Sequence, residues 1–184
     1  MISRDEALHL LKEKVKNQNY IKHMVAVEAI MRELAHKLGQ DEELWAITGL
    51  LHDIDFEETS SNPKLHGIKA CELLRGKLPE EALRAIMAHN YENTEVKPET
   101  LLDKALIASD AISGLLVACA LVMPNKKMNE VKVETVIRKF KSKDFARGVK
   151  RERILLCEEI GLTKEEFFEI ALQALKKIAN QLGL

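Results

Sequence analysis

Residues 50–58 read Leu-Leu-His-Asp-Ile-Asp-Phe-Glu-Glu, and the rest of the chain can be arranged around the doublet His52-Asp53 inside them. An imidazole beside a carboxylate, straight after an apolar run, is a metal-type ligand pair, but the doublet alone is a weak signal. It gains weight from His23 before it and from His66, His89 and Asp110 after it. Imidazole and carboxylate together suit a borderline divalent metal such as Fe, Mn, Co, Ni or Zn.

The 184 residues suffice for one domain with a substantial core and no covalent staples. Cys71, Cys119 and Cys157 are odd in number, far apart and without C-x-x-C spacing, which fits reduced thiols packed in a core. Lysine plus arginine (28) nearly cancels aspartate plus glutamate (29), so no overall field favours nucleic acid or an anionic membrane, and neither is expected as a partner. The start, MISRDEALHLL, has no basic region followed by an apolar one, which sets the expectation of a cytoplasmic protein. Residues 105–123 approach the roughly 20 apolar residues of a membrane span. Asp110 in their middle, with Ser109, Ser113 and Gly114, argues instead for a buried helix whose carboxylate has a partner.

Helical periodicity covers most of the chain. Ser3 with Glu6 forms a capping box ahead of Ala7, Leu8, Leu11 and Val15, predicting a first helix to about Asn17. Residues 20–38 form a second helix, ended by Gly39. On it Val27, Ile30 and Leu34 share the stripe of His23, so His23 faces the core, whereas His36 points to solvent and His9 lies on the surface. Asp41 caps a third helix over 42–54 that carries His52 and Asp53. Helical neighbours diverge by about 100°, so the two share one ion only where imidazole reach compensates, unless Asp53 uses its two oxygens to bridge two ions. Asp55, Glu57 and Glu58 read as a solvated acidic exit.

A helix from Pro63 to about Arg75 would hold His66 in its first turn, and Pro79 opens the next helix, whose inward side includes His89. After a loop at 91–99, a helix over 100–123 surrounds Asp110 with Leu106, Ile107, Ser113, Gly114 and Val117. Asp103 lies on the same side, near the helix start, where negative charge is favourable anyway. A buried carboxylate is costly without a cation, hydrogen bonds or a proton, and a metal is the partner expected for Asp110. Each histidine singly is more often a hydrogen-bonded core residue than a ligand. Their joint placement on inward faces tips the balance.

Pro124 stops that helix, and residues 125–154 hold the locally basic stretch of the chain, including Lys126, Lys139, Arg147, Lys150, Arg151 and Arg153. They read either as solvated helix faces or as a phosphate clamp reaching across the metal site. The aromatics of a single-strand binder are not interleaved there. Thr163 with Glu166 caps a closing helix over 164–182. With no alternating strand pattern and no glycine-rich phosphate loop, the expected fold is all-α.

The order His23, His52-Asp53, Asp110 on helical segments resembles the HD-domain superfamily of metal-dependent phosphohydrolases. The resemblance covers residues 20–122, which it makes an HD-domain-like helical bundle, with 123–184 as a C-terminal helical extension of the same single domain. It implies that His23, His52, Asp53 and Asp110 coordinate one divalent metal. Members with two metals insert two further histidines, which His66 and His89 match, with Asp53 bridging. The implied cofactor is one or two ions among Fe, Mn, Co, Ni, Zn and Mg. The implied reaction is hydrolysis of a small phosphorylated substrate, a phosphomonoester or nucleotide, through a metal-activated water, with His52 and Asp53 as the catalytic doublet. A common variant has glycine, often with lysine, after the HD-I run, where this chain has Asp55 and Phe56. A phosphate contact would then fall to Lys64 in the next loop, or to Arg147, Lys150 and Arg151 of the basic segment. Residues 106–124 and 141–154 look like a group of small prokaryotic HD proteins. The resemblance also allows a regulatory module that binds metal or a phosphorylated ligand without turnover, and a di-iron oxygenase.

Overall fold

Capping chemistry sets where the helices begin. In the computed structural model, which describes residues 1–184, Ser3 and Glu6 exchange both hydrogen bonds of a capping box at the head of α1 (Arg4–Lys14). Asn17 caps α2 (Gln18–Leu38), which stops where Gly39 turns left-handed at φ 63°. The Asp41 carboxylate accepts from the Leu44 backbone N–H to start α3 (Glu42–Leu51). The single turn α4 (Phe56–Thr59) and a 3-10 turn at Pro63–Leu65 lead to α5 (Ile68–Leu74), α6 (Glu80–His89) and another single turn, α7 (Tyr91–Thr94). Thr100 and Asp103 form a second capping box on α8 (Leu101–Leu121). Then come α9 (Val133–Lys141), α10 (Arg151–Ile154), α11 (Lys164–Lys177), capped by Thr163 and Glu166, and α12 (Ala179–Leu182). No strand forms, as the periodicity predicts.

The long apolar helix is the centre of the bundle. By length and composition α8 could cross a membrane, yet Leu102, Leu106, Ile112, Leu115 and Leu116 are buried against the neighbouring helices. It packs on α2, α6 and the segment around α10, while α2 also lies along α3 and α11. Phe167, Phe168, Leu172 and Leu175 of α11 join the same apolar cluster as Ile30, Leu34 and Leu106. The extension is therefore packed on the core of residues 20–122. Each such side chain contributes about 1.5–3 kcal/mol on burial. The three cysteines are buried, free thiols, as expected.

The closing helix expected over 164–182 is broken at Ile178 into α11 and α12, and three further differences from the sequence reading fall beside a histidine. First, α3 ends at Leu51 rather than Ile54. The Gly49 carbonyl, which a continuing helix would offer to the Asp53 backbone N–H, accepts the His52 ring Nδ1–H at 2.8 Å. The Ile54 N–H bonds back only to Leu51, so the chain tightens into a turn as it carries the doublet. Second, the helix expected from Pro63 is broken after Leu65. His66 is extended, with ψ 130°, and Gly67 sits at φ +87° with the Ile86 carbonyl oxygen 3.1 Å from where a Cβ would be. That conformation and that approach both demand glycine. Third, residues 91–94 of the expected loop form α7, just after α6 ends at His89.

Gly49 is also where α2 and α3 come closest. A Cβ there would lie 3.0 Å from the Val27 carbonyl oxygen and 3.0 Å from Met31 Cγ. The Val27 backbone cannot step aside as a side chain can. We expect Gly49→Ala to destabilise the protein by about 1–2 kcal/mol, overpacking outweighing the gain in helix propensity. Urea unfolding at neutral pH measures this, and an unchanged or higher midpoint would contradict the close packing.

Candidate metal centre

The six side chains expected as ligands arrive from five places. His23 comes from α2, His52 and Asp53 from the turn after α3, His66 from the break before α5, His89 from the last position of α6, and Asp110 from α8. They meet around the Asp53 carboxylate. His66 Nε2 and His89 Nε2 lie 3.2 and 3.1 Å from Asp53 Oδ1, and His52 Nε2 is 3.4 Å from the same oxygen. Asp53 Oδ2 faces His23 Nε2 at 3.7 Å. Asp110 Oδ1 stands 3.2 Å from His23 Nε2 and 3.8 Å from His52 Nε2.

The imidazoles are aimed from behind. His52 Nδ1–H donates to the Gly49 carbonyl at 2.8 Å, and His89 Nδ1–H donates to the Ile86 carbonyl. His66 Nδ1–H donates to Asp55 Oδ1 at 2.8 Å. The Ser113 hydroxyl donates to the Asp110 carbonyl at 2.8 Å and sits 3.1 Å from His23 Nδ1, whose N–H it can accept. With the proton fixed on Nδ1, each Nε2 presents its lone pair inward, the arrangement a metal-ligating histidine needs. Asp55 thus departs from the solvated position expected for it. It is 3% exposed and its other oxygen accepts from the Gly67 and Ala70 backbone N–H groups.

The donors fit a cation. Asp53 with His23 and His52, and Asp53 with His66 and His89, form two groups whose ligand atoms lie within 4.8 Å of one another. His52 Nε2 is fully buried without a hydrogen-bond partner, and His66 Nε2 and His89 Nε2 face each other at 3.0 Å. Two inward lone pairs at that distance require a shared proton or cation between them. Electrostatics in the metal-free chain point the same way. Burial disfavours charge on His52, but the Asp53 and Asp110 carboxylates outweigh it and raise its pKa to about 9. Burial likewise opposes charge on His66, and its hydrogen bonds to Asp53 and Asp55 raise it to about 10. Burial pushes Asp53 upward, yet His52, His66 and His89 together hold it well below the usual carboxylate range. Asp110 is held low by His23 and His52 against the same burial.

A cavity of about 390 Å³ opens over the cluster, rimmed by Tyr20, Phe56, Asn90 and Arg153. Tyr20 and Phe56 meet edge to face, with centroids 5.1 Å apart. Of the cations expected to reach substrate, three do not. Lys64 is exposed and lies outside this cavity. Arg147 is exposed beside Asp144 at 3.5 Å. The Arg151 guanidinium is filled by backbone carbonyls of Lys139, Phe140, Ser142, Phe145, Ala146 and Val149, so it closes the 142–150 loop on itself. Lys150 lies near Asp110 but is paired with both Glu92 oxygens at 2.7 Å. Asp103 is a structural residue, capping α8 and pairing with Arg84. The cation that does enter the site is Arg153. It belongs to the basic stretch, and what distinguishes it from its neighbours is tertiary: α10 packs on α8 and turns Arg153, not Arg151, toward Asp110.

Comparison with known proteins gives the family. The HD domain family model matches residues 20–115, and the chain belongs to that family. Ribonuclease Y of Acholeplasma laidlawii (strain PG-8A) is 32% identical over 101 residues, covering 53% of this chain and 18% of that protein. Ribonuclease Y of Latilactobacillus sakei subsp. sakei (strain 23K) is 27% identical over 172 residues, 90% of this chain and 32% of its own length. That of Aquifex aeolicus (strain VF5) is 28% identical over 171 residues, 90% and 30%. The chain thus spans no more than 32% of the length of these relatives. No solved structure matches.

The shifts fix the pH behaviour of the metal-free protein. His52 and His66 lie above the ordinary histidine value of about 6.5, so their stabilising contribution is complete below that pH and is lost as pH rises through about 9 and 10. Asp53 and Asp110 lie below the ordinary value of about 3.9, so theirs is present above it and lost on further acidification. The unfolding midpoint of chelator-treated protein should therefore fall between pH 7 and pH 10, and adding a divalent metal at neutral pH should release protons. A flat profile with no proton release would contradict the assigned geometry.

Proposed function

We propose that this chain is a metal-dependent phosphohydrolase acting on a phosphomonoester or nucleotide, with His23, His52, Asp53, His66, His89 and Asp110 holding one or two divalent ions. The observation that carries the reading is the shared position of Asp53. One of its oxygens faces His66 and His89 and the other faces His23, as a carboxylate serving two neighbouring ions would. Membership of the HD domain family supports the same chemistry.

A bound divalent ion supplies Lewis-acid stabilisation of phosphoryl oxygens and an activated water near neutral pH. The chain's own residues supply the rest. The Gly49 and Ile86 carbonyls, Asp55 and Ser113 hold the imidazoles in register. Leu50, Leu51 and Ile54, which flank the doublet along the chain, are buried and anchor it to the apolar core. Asn90 donates to the Pro63 and His66 carbonyls, which fixes the His66 segment under the cavity. Tyr20 and Phe56 offer an aromatic edge against which the organic part of an ester can lie. A cytoplasmic setting belongs to this reading, since the three separated, buried thiols suit a reducing compartment.

A second reading is supported by the relatives named ribonuclease Y, which put a phosphodiester of RNA beside the monoesters, against the balanced charge of the chain. The test is phosphate or nucleotide release from generic monoesters, diesters, nucleotides and single-stranded RNA, with Mn, Fe, Co, Ni, Zn and Mg each supplied. We expect turnover of at least one class, lost more than about a hundredfold together with bound metal in Asp53→Ala. Turnover that survives Asp53→Ala would exclude this centre. Metal binding and ligand-induced thermal stabilisation without product would favour a regulatory module, and iron-dependent oxygen uptake an oxygenase.

A further inference from the structure

Apart from the imidazoles, Arg153 is the one cationic side chain lining the cavity above the cluster, and α10, which carries it, lies outside residues 20–115. Its surroundings leave it short of acceptors. Nη2 donates to the His89 carbonyl, and Nη1 stands 3.7 Å from Asp110 Oδ2, an ion-pair distance beyond hydrogen-bond range. Nε is buried with no acceptor at all. The carbon of the guanidinium lies 5.5 Å from the Tyr91 ring centroid, so an aromatic face supports it from one side. The side chain is 16% exposed. A guanidinium carries five N–H donors, and burying most of it with donors unmet is unfavourable unless an anion completes the set.

The neighbouring cations are committed elsewhere, Lys150 to Glu92 and Arg151 to the loop carbonyls. Arg153 also borders a second cavity, of about 260 Å³, which shares His23 and Asp110 with the first and is walled by Gly114, Val149 and Lys150. The guanidinium therefore stands between two openings onto the same cluster, within reach of a ligand larger than its phosphoryl group. A planar, permanently charged fork matches the paired oxygens of a phosphoryl group better than a lysine would.

We propose that Arg153 is a substrate-binding residue supplied by the C-terminal extension, holding a non-bridging oxygen of the phosphoryl group beside Asp110. This deepens the phosphohydrolase reading and rests on it for the identity of the anion. It moves the phosphate contact from the other basic residues to one largely buried side chain that the HD domain match does not contain.

The experiment titrates inorganic phosphate into the 184-residue chain carrying the metal with which it purifies, comparing the parent with Arg153→Gln, Arg153→Lys and the exposed control Arg138→Gln. Arg153→Gln should bind phosphate about ten- to a hundredfold more weakly, the loss of one charge-assisted contact. It should raise KM more than it lowers kcat for any ester turned over, with metal content unchanged. Arg153→Lys should recover part of the affinity, and Arg138→Gln should match the parent. In the unmutated protein, phosphate should protect the Arg153 peptide from phenylglyoxal, read by mass spectrometry, which needs no variant to fold. Parent-like phosphate affinity in Arg153→Gln, no phosphate binding by the parent, or no protection would overturn the proposal. So would loss of metal with unchanged phosphate affinity per loaded site, because Arg153 would then only brace Asp110 and His89. Turnover unaffected by Arg153→Gln would sink this inference alone. Phosphate held through Arg153 with no ester hydrolysed would instead sink the hydrolase reading.

Discussion

Everything at the centre of this molecule depends on four imidazole rings being gripped by their outer nitrogens. A histidine ring is free to spin and to choose its tautomer, and on an otherwise apolar floor either freedom would leave the lone pairs scattered. Here a backbone carbonyl holds His52, another holds His89, the Asp55 carboxylate holds His66 and the Ser113 hydroxyl meets His23. The inner nitrogens then have one place to look, toward Asp53 and Asp110. The fold bends to allow it: α3 gives up its last turn to the His52 ring, and the chain breaks at Gly67 so that His66 can face Asp55.

That arrangement is costly for a protein interior without a cation. Two carboxylates, each about one-fifth exposed or less, sit among imidazoles that are largely buried. In the metal-free chain the cluster resolves the conflict by keeping protons on His52 and His66 and off the aspartates. A divalent ion would replace those protons with a charge that every inward lone pair can share. The same reasoning extends one layer out, to Arg153, whose buried Nε has no acceptor.

Much of this was legible in the sequence. The spacing of Val27, Ile30 and Leu34 from His23 placed that histidine inward, and capping boxes at Ser3 and Thr163 located α1 and α11, because these are local signals. Asp110 inside an apolar helix announced a buried charge that needed partners. What could not be read were the effects of tertiary contact on local pattern. Nothing near Asp55 says that it turns back to hold His66 and the start of α5, since the residues it meets are 11 to 15 positions away. The basic segment offers many interchangeable cations by composition. The packing of α10 on α8 separates Arg153 from Arg147, which stays in solvent, and the direction each side chain takes from α10 separates it from Arg151, which closes its own loop.

The most direct test counts metal. Protein purified without chelator, or stripped and dialysed against Mn, Zn or Fe at neutral pH, should retain one to two equivalents of divalent ion by elemental analysis, and His52→Ala should retain markedly less. Metal content indistinguishable from the chelated protein for every cation offered would contradict the account at its root.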